Sequence, residues 1–169
     1  MNLRPIKLVS LKGQALALLA RREHSRQELR TKLLAHARKL AATLLPEEGA
    51  NDDARWHSQI EILLDELEAS RYLSNERFAE TRVHARAAGR GQALIRQELA
   101  RHGVELPDAL AEELRHTELE RARALWQRRF GTRSDDLREQ ARQMRFLAAR
   151  GFSGHVIRQV LGDETLVVD

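Results

Sequence analysis

Between Arg77 and Val104 the chain reads RFAETRVHARAAGRGQALIRQELARHGV, and this stretch leaves few ways to fold. Phe78, Ala79, Val83 and Ala87 recur at helical spacing before Gly89-Arg90-Gly91, and Leu94, Ile95 and Leu99 recur after it. Such a period places one apolar stripe along a helix, whereas a half-buried strand would alternate every second residue. Gly103 followed by Val104 supplies the glycine stop and trailing apolar residue of a Schellman ending. The unit is a short, basic helix-hinge-helix.

The same pattern extends both ways. A first helix is predicted over roughly Leu11 to Glu23, with Leu11, Ala15, Leu18 and Leu19 inward. Ser25-Arg26-Gln27-Glu28 fits a capping box, in which the serine takes the N3 amide and the glutamate returns to the serine's own N–H. Leu29 and Leu33 line the helix that follows, and Ala37 to Leu45 extends it. A third helix is predicted over about Ser58 to Ser70, with Ile60, Leu63, Leu64 and Leu67 at i, i+3, i+4 and i+7. Between them Pro46 to Asp53 reads as an exposed acidic loop.

Ser74 or Asn75 caps the central unit, and Pro107 opens a short helix through Leu110 and Leu114. Thr117 to Glu120 matches a second capping box, followed by Ala122, Leu125, Trp126 and Phe130 up to Gly131. Ser134 is expected to cap a helix with Leu137, Ala141, Met144 and Leu147 inward, ending at Gly151 with Phe152 beyond. Ser153 caps the last helix, which carries Val156, Ile157, Val160 and Leu161 and ends at Gly162. The tail 163–169 reads as frayed. No segment alternates like a strand, so the fold is all-α.

Ser25, Gly91 and Ser153 each precede a helix with apolar residues four and eight positions later: Leu29 and Leu33, Ile95 and Leu99, Ile157 and Leu161. This internal echo predicts three tandem three-helix repeats. They are placed at 1–73, 74–116 and 117–162, with an acidic insert at about 36–57 in the first.

Charge is segregated along the chain. Residues 1–45 hold ten Lys/Arg against Glu23 and Glu28, and residues 46–68 hold eight acids against Arg55. Of the 29 basic residues 25 are arginine, the side chain suited to bidentate contact with phosphate or carboxylate. A GC-rich coding sequence would also favour arginine, but it would not segregate it. Two basic blocks flanking an acidic one suggest a surface that faces phosphate. The chain has no cysteine, which removes thiolate metal sites and fits a reducing cytoplasm. Arg4, Lys7 and Lys12 break any apolar opening, so no secretory leader is expected, and nothing approaches a membrane span.

ALALLARREHSRQEL, YLSNERFAETRVHARAAGRGQALIRQELARHGV and FLAARGFSGHVIRQVLG resemble, in order, the three signature stretches of the bacterial RecX family of regulatory proteins. The resemblance covers most of the chain. It implies an elongated, curved array of three-helix repeats. It also implies binding to the RecA filament on single-stranded DNA, within its helical groove, with restraint of RecA's ATPase, strand exchange and co-protease activities. Direct DNA binding, to single strands and to duplex, belongs to that picture. The acidic stretch at 36–57 departs from the family's usual pattern.

A ligand for an acidic, polyanionic filament should present guanidinium groups. The candidates are Arg22, Arg26, Arg30 and Lys32 in the first repeat, Arg86, Arg90, Arg96 and Arg101 in the second, and Arg145, Arg150 and Arg158 in the third. Helix N-termini at the three hinges would add backbone amides for phosphate oxygens. The plainer reading of any one of these arginines is a solvated helix face or a pair with a nearby glutamate. Trp126, Phe130, Phe146 and Phe152 could stack bases, but at helical spacing in one small unit they read as core. Tyr72 reads as packing between repeats.

Seven histidines are scattered without metal-ligand spacing, and Gly89-Arg90-Gly91 lacks the preceding strand and the spacing of a phosphate-binding fingerprint. Neither an enzyme nor a cofactor is expected. A helix-turn-helix protein acting on duplex operators without RecA is the competing reading. Three similar basic units and no evident dimerisation helix favour a monomeric filament regulator.

Overall fold

The computed structural model describes residues 6–44 and 53–162, and every regular element among them is helical. The acidic loop 46–52 and the tail 163–169 lie outside the described residues. In order the helices are α1 (Ile6–Leu19), α2 (Arg26–Leu44), α3 (Asp53–Ala69), α4 (Asn75–Arg86), α5 (Gln92–Arg101), α6 (Asp108–His116), α7 (Glu118–Phe130), α8 (Leu137–Ala149) and α9 (Gly154–Leu161). A 3-10 turn, Ala87–Gly89, links α4 to α5. The chain forms two compact units, residues 1–78 and 79–169.

In the first unit α1, α2 and α3 pack on one another. Leu11 and Ala15 from α1, Leu29, Leu33, Ala37 and Ala41 from α2, and Trp56, Ile60, Leu63, Leu64 and Leu67 from α3 make one core. Most of the stretch read as an acidic insert is therefore helix. Ala37 and Ala41 are buried as α2 continues, as expected. Trp56 is buried because α3 begins at Asp53, five residues before the predicted start. Arg38 and Asp53 pair at 2.7 Å, joining the late part of α2 to the head of α3. Tyr72, expected to pack between repeats, is 60% exposed; Leu73 beside it takes the core position.

The second unit gathers Ala122, Leu125, Leu147, Phe152, Val156, Ile157 and Leu161 into a core, with α9 packed on α7 and α8. The predicted inward face of α8 is corrected. Leu137 and Met144 are exposed, and Leu147 is buried beside Gln143. Gln143 accepts the Trp126 indole N–H at 2.9 Å and donates to the Thr132 carbonyl at 3.3 Å, so a polar residue satisfied on both sides holds the interior. The cap is Asp136, which accepts the Arg138 amide at 3.0 Å, rather than Ser134. α6 likewise starts one residue later than predicted, with Pro107 at the cap.

Three helices end the same way. After α3, α5 and α8 the amides of Tyr72, Val104 and Phe152 donate back to the carbonyls of Leu67, Leu99 and Leu147. The residue before each donor, Arg71, Gly103 or Gly151, has a positive φ. This is the 6→1 bond of a Schellman ending. Val104 and Phe152 then drop into the interior, turning the chain sharply into the next helix.

Candidate nucleic-acid interface

The cationic site of the second unit is set by a contact between two glycines. Gly91, the cap of α5, donates its N–H to the Arg150 carbonyl at 2.8 Å. A Cβ on Gly91 would stand 2.0 Å from the Gly151 carbonyl oxygen. Gly151 has φ +80°, and a Cβ there would meet Leu94 at 2.8 Å. Both positions are closed to a side chain, one by space and the other also by backbone conformation. The start of α5 is thereby fixed against the end of α8, and a cleft of about 600 Å³ opens beside this contact, lined by Arg86, Arg90, Leu94, Gln97, Glu98, Arg101, His102, Ala149 and Arg150.

Glu98 stands in this cleft and holds three guanidinium groups: Arg82 at 3.3 Å, Arg86 at 3.4 Å and Arg90 at 2.5 Å. The other cationic side chains of the unit's candidate set have no carboxylate partner among the described residues. Arg96, Arg101, Arg145 and Arg158 are exposed, and Arg150 lies over the Phe146 ring at 5.0 Å. One negative charge serves three positive ones, and the remaining arginines face solvent.

The first unit arranges its candidates differently. Arg26 donates to Glu61 and Asp65 at 2.7 Å each and to Glu68 at 2.5 Å, and Arg30 also takes Glu61. Arg22 and Lys32 share Glu28, the lysine at 3.1 Å. Hydrogen bonds from Arg30, opposed by burial and reinforced by Arg26, hold the Glu61 carboxyl down at about 2. Burial pushes the Glu28 carboxyl up, but the bonds from Arg22 and Lys32 outweigh it and leave it at about 2. The partners come from another helix or a turn as well as from i+4.

Several hinge amides are engaged within the protein. The Arg26 amide donates to Asn75 Oδ1 at 2.9 Å, and the Glu28 amide donates to Ser25 Oγ at 3.0 Å. Only half of the predicted capping box forms, because the Glu28 carboxylate is taken by Arg22 and Lys32. At the third hinge the buried Glu118 accepts both the amide and the hydroxyl of Ser153, at 3.1 and 3.0 Å, while Ser153 Oγ accepts the Val156 amide as predicted. Thr117 makes no capping bond to α7; its hydroxyl donates to the Glu113 carbonyl. At the second hinge Gly91 makes no side-chain cap to α5, and its own N–H is taken by the Arg150 carbonyl.

Several structural residues were not singled out from the sequence. Arg121 donates to the carbonyls of Ala87 and Arg90 at 2.7 Å and of Leu114 at 2.8 Å, and burial lowers the pKa of its guanidinium. Nothing marks it among the eleven arginines between Arg115 and Gly162. His24 is buried, with Nδ1 3.0 Å from the Arg22 carbonyl and Nε2 3.0 Å from Lys32 Nζ. Glu98 did leave a trace: it is the one acid between Arg82 and Arg101.

Comparison with known proteins accords with these repeats. Residues 74–115 match the model of the second three-helix domain of RecX, and residues 116–161 match the third. The regulatory protein RecX of Leptothrix cholodnii is 50% identical over 156 residues, covering 90% of this chain and 88% of that protein. That of Ralstonia nicotianae is 42% identical over 168 residues, covering 98% and 94%. The crystal structure of RecX from Lactobacillus salivarius superposes with a TM-score of 0.66 at 20% identity, covering 97% of this chain and all of that one. That last likeness speaks for the fold.

Proposed function

Because the chain belongs to the RecX family of regulatory proteins, we propose that it binds the RecA filament on single-stranded DNA and restrains RecA's ATPase, strand exchange and co-protease activities. It acts by binding in the cytoplasm, as a monomer, without a cofactor or a chemical step of its own. Three repeats at 1–73, 74–116 and 117–162 supply its surface. No helix among the described residues is long and apolar enough to cross a membrane.

The observation that carries this reading is the guanidinium surplus of the second unit. Side chains that fold a protein by ion pairing arrive with matching carboxylates, as Arg26 and Arg30 do in the first unit. Arg96, Arg101, Arg145 and Arg158 have none among the described residues, and Arg86 and Arg90 share Glu98. An unbalanced cationic surface attracts polyanions and is sensitive to salt. Arg96, Arg101, Arg145, Arg150 and Arg158 meet the phosphates or acidic patches of the filament, while Arg22, Arg26, Arg30 and Lys32 first have to leave their carboxylates. Added below the molar amount of RecA, the protein should slow single-strand-dependent ATP hydrolysis. Unchanged turnover with the protein in excess would sink the proposal.

A further inference from the structure

Glu98 is the carboxylate around which Arg82, Arg86 and Arg90 gather, and its geometry is uneven. Oε2 takes Arg90 at 2.5 Å, while Oε1 is shared by Arg82 and Arg86 at 3.3 and 3.4 Å, near the outer limit of a hydrogen bond. Arg101 and Arg150 line the same cleft, with no carboxylate partner among the described residues. α5 sets Leu94, Glu98 and Arg101 along one face, at i, i+4 and i+7. A carboxylate and a phosphodiester each present two oxygens to the planar fork of an arginine.

We propose that the cleft beside α5 and the end of α8 is a phosphodiester site that Glu98 keeps self-occupied, standing where a phosphate of a bound single strand sits. Loading the strand moves Arg86 and Arg90 from the carboxylate to phosphate oxygens, and Arg101 and Arg150 take the neighbouring phosphate. Glu98 holds the guanidinium groups in place while the cleft is empty and weakens binding once it is filled, so it limits how long a strand stays bound. This rests on the reading that the second unit meets nucleic acid. A carboxylate that served folding alone would gain nothing in affinity when neutralised.

The test uses the full chain and a fluorescein-labelled oligothymidylate, read by anisotropy. Glu98→Gln keeps the shape and removes the charge; it should bind about fivefold more tightly, with a salt slope steeper by about one phosphate contact. A folded Glu98→Gln protein that binds no tighter than the parent overturns the inference while leaving the proposed function standing. Absence of binding by both proteins removes DNA contact from the proposed function and the inference with it. Should the variant fail to fold, the unmutated protein decides. Its Arg86 and Arg90 Nε–H resonances should shift as the oligonucleotide is added, and resonances unmoved at saturation would overturn the assignment.

Discussion

Arginine plays opposite parts in the central ion-pair cluster of each unit. In the first, one guanidinium group, that of Arg26, meets three carboxylates from α3. In the second, one carboxylate, that of Glu98, meets three guanidinium groups. The first arrangement ties α2 to α3 through one shared cation, and the second gathers three cations of one unit around one anion. An arginine count along the chain does not distinguish the two, because the difference lies in what each side chain faces across a helix interface.

The strongest blow to this contrast should come from Gly91→Ala. With the Gly151 carbonyl oxygen 2.0 Å from the new Cβ, the contact that positions the cleft must open. We expect the second unit to lose about 3 kcal/mol or more, as steric changes in packed backbone do. The two tryptophans separate the units: Trp126 emission, with Trp56 replaced by Phe, should show the early unfolding, and Trp56 emission should not. Next in size, Arg96→Glu with Arg101→Glu should weaken oligonucleotide binding on the order of a hundredfold at low salt, because two phosphate contacts become repulsions. Both side chains are exposed, so helicity measured by circular dichroism should hold; loss of folding would make them structural.

Arg26→Ala sharpens the contrast from the other side. It leaves Asp65 and Glu68 without their cation, Glu61 keeping Arg30, and should cost the first unit about 1 kcal/mol in denaturant unfolding, with little effect on DNA affinity. The smallest effect is that of acid. Glu28 and Glu61 titrate at about 2 in the folded chain, below their ordinary 4.5. Their contribution is therefore complete above about pH 4.5 and fades as the pH falls toward 2. Glu61 is partly exposed, which discounts its share. Trp56 emission should report a melting point lower by roughly 3–6 °C between pH 5 and pH 2; a flat response would mean that these pairs do not hold α2 to α3.

Much of the fold could be read from periodicity and punctuation. Ile60, Leu63, Leu64 and Leu67 are all buried as their spacing predicts, and Gly103, Gly131, Gly151 and Gly162 all lie at helix ends with positive φ. Where the reading failed, a tertiary contact outweighed a local rule. Leu137 and Met144 suggested an inward face for α8, yet Gln143 is buried because Trp126 and Thr132 satisfy its amide, and no local pattern announces partners that far away. Thr117 was expected to cap α7 but makes no capping bond, and Glu118 beside it serves the amide and hydroxyl of Ser153, 35 residues on. The candidate arginines were chosen by charge and hinge position. Their division into paired and unpaired depends on α3 facing α2, a fact of packing that the one-dimensional pattern does not hold.

The salt dependence of single-strand binding tests the division most directly. The slope of log Kd against log salt should fall by about two contacts in Arg96→Gln with Arg101→Gln, and stay near the parent value in Arg26→Gln with Arg30→Gln. Equal losses from the two pairs would contradict the account.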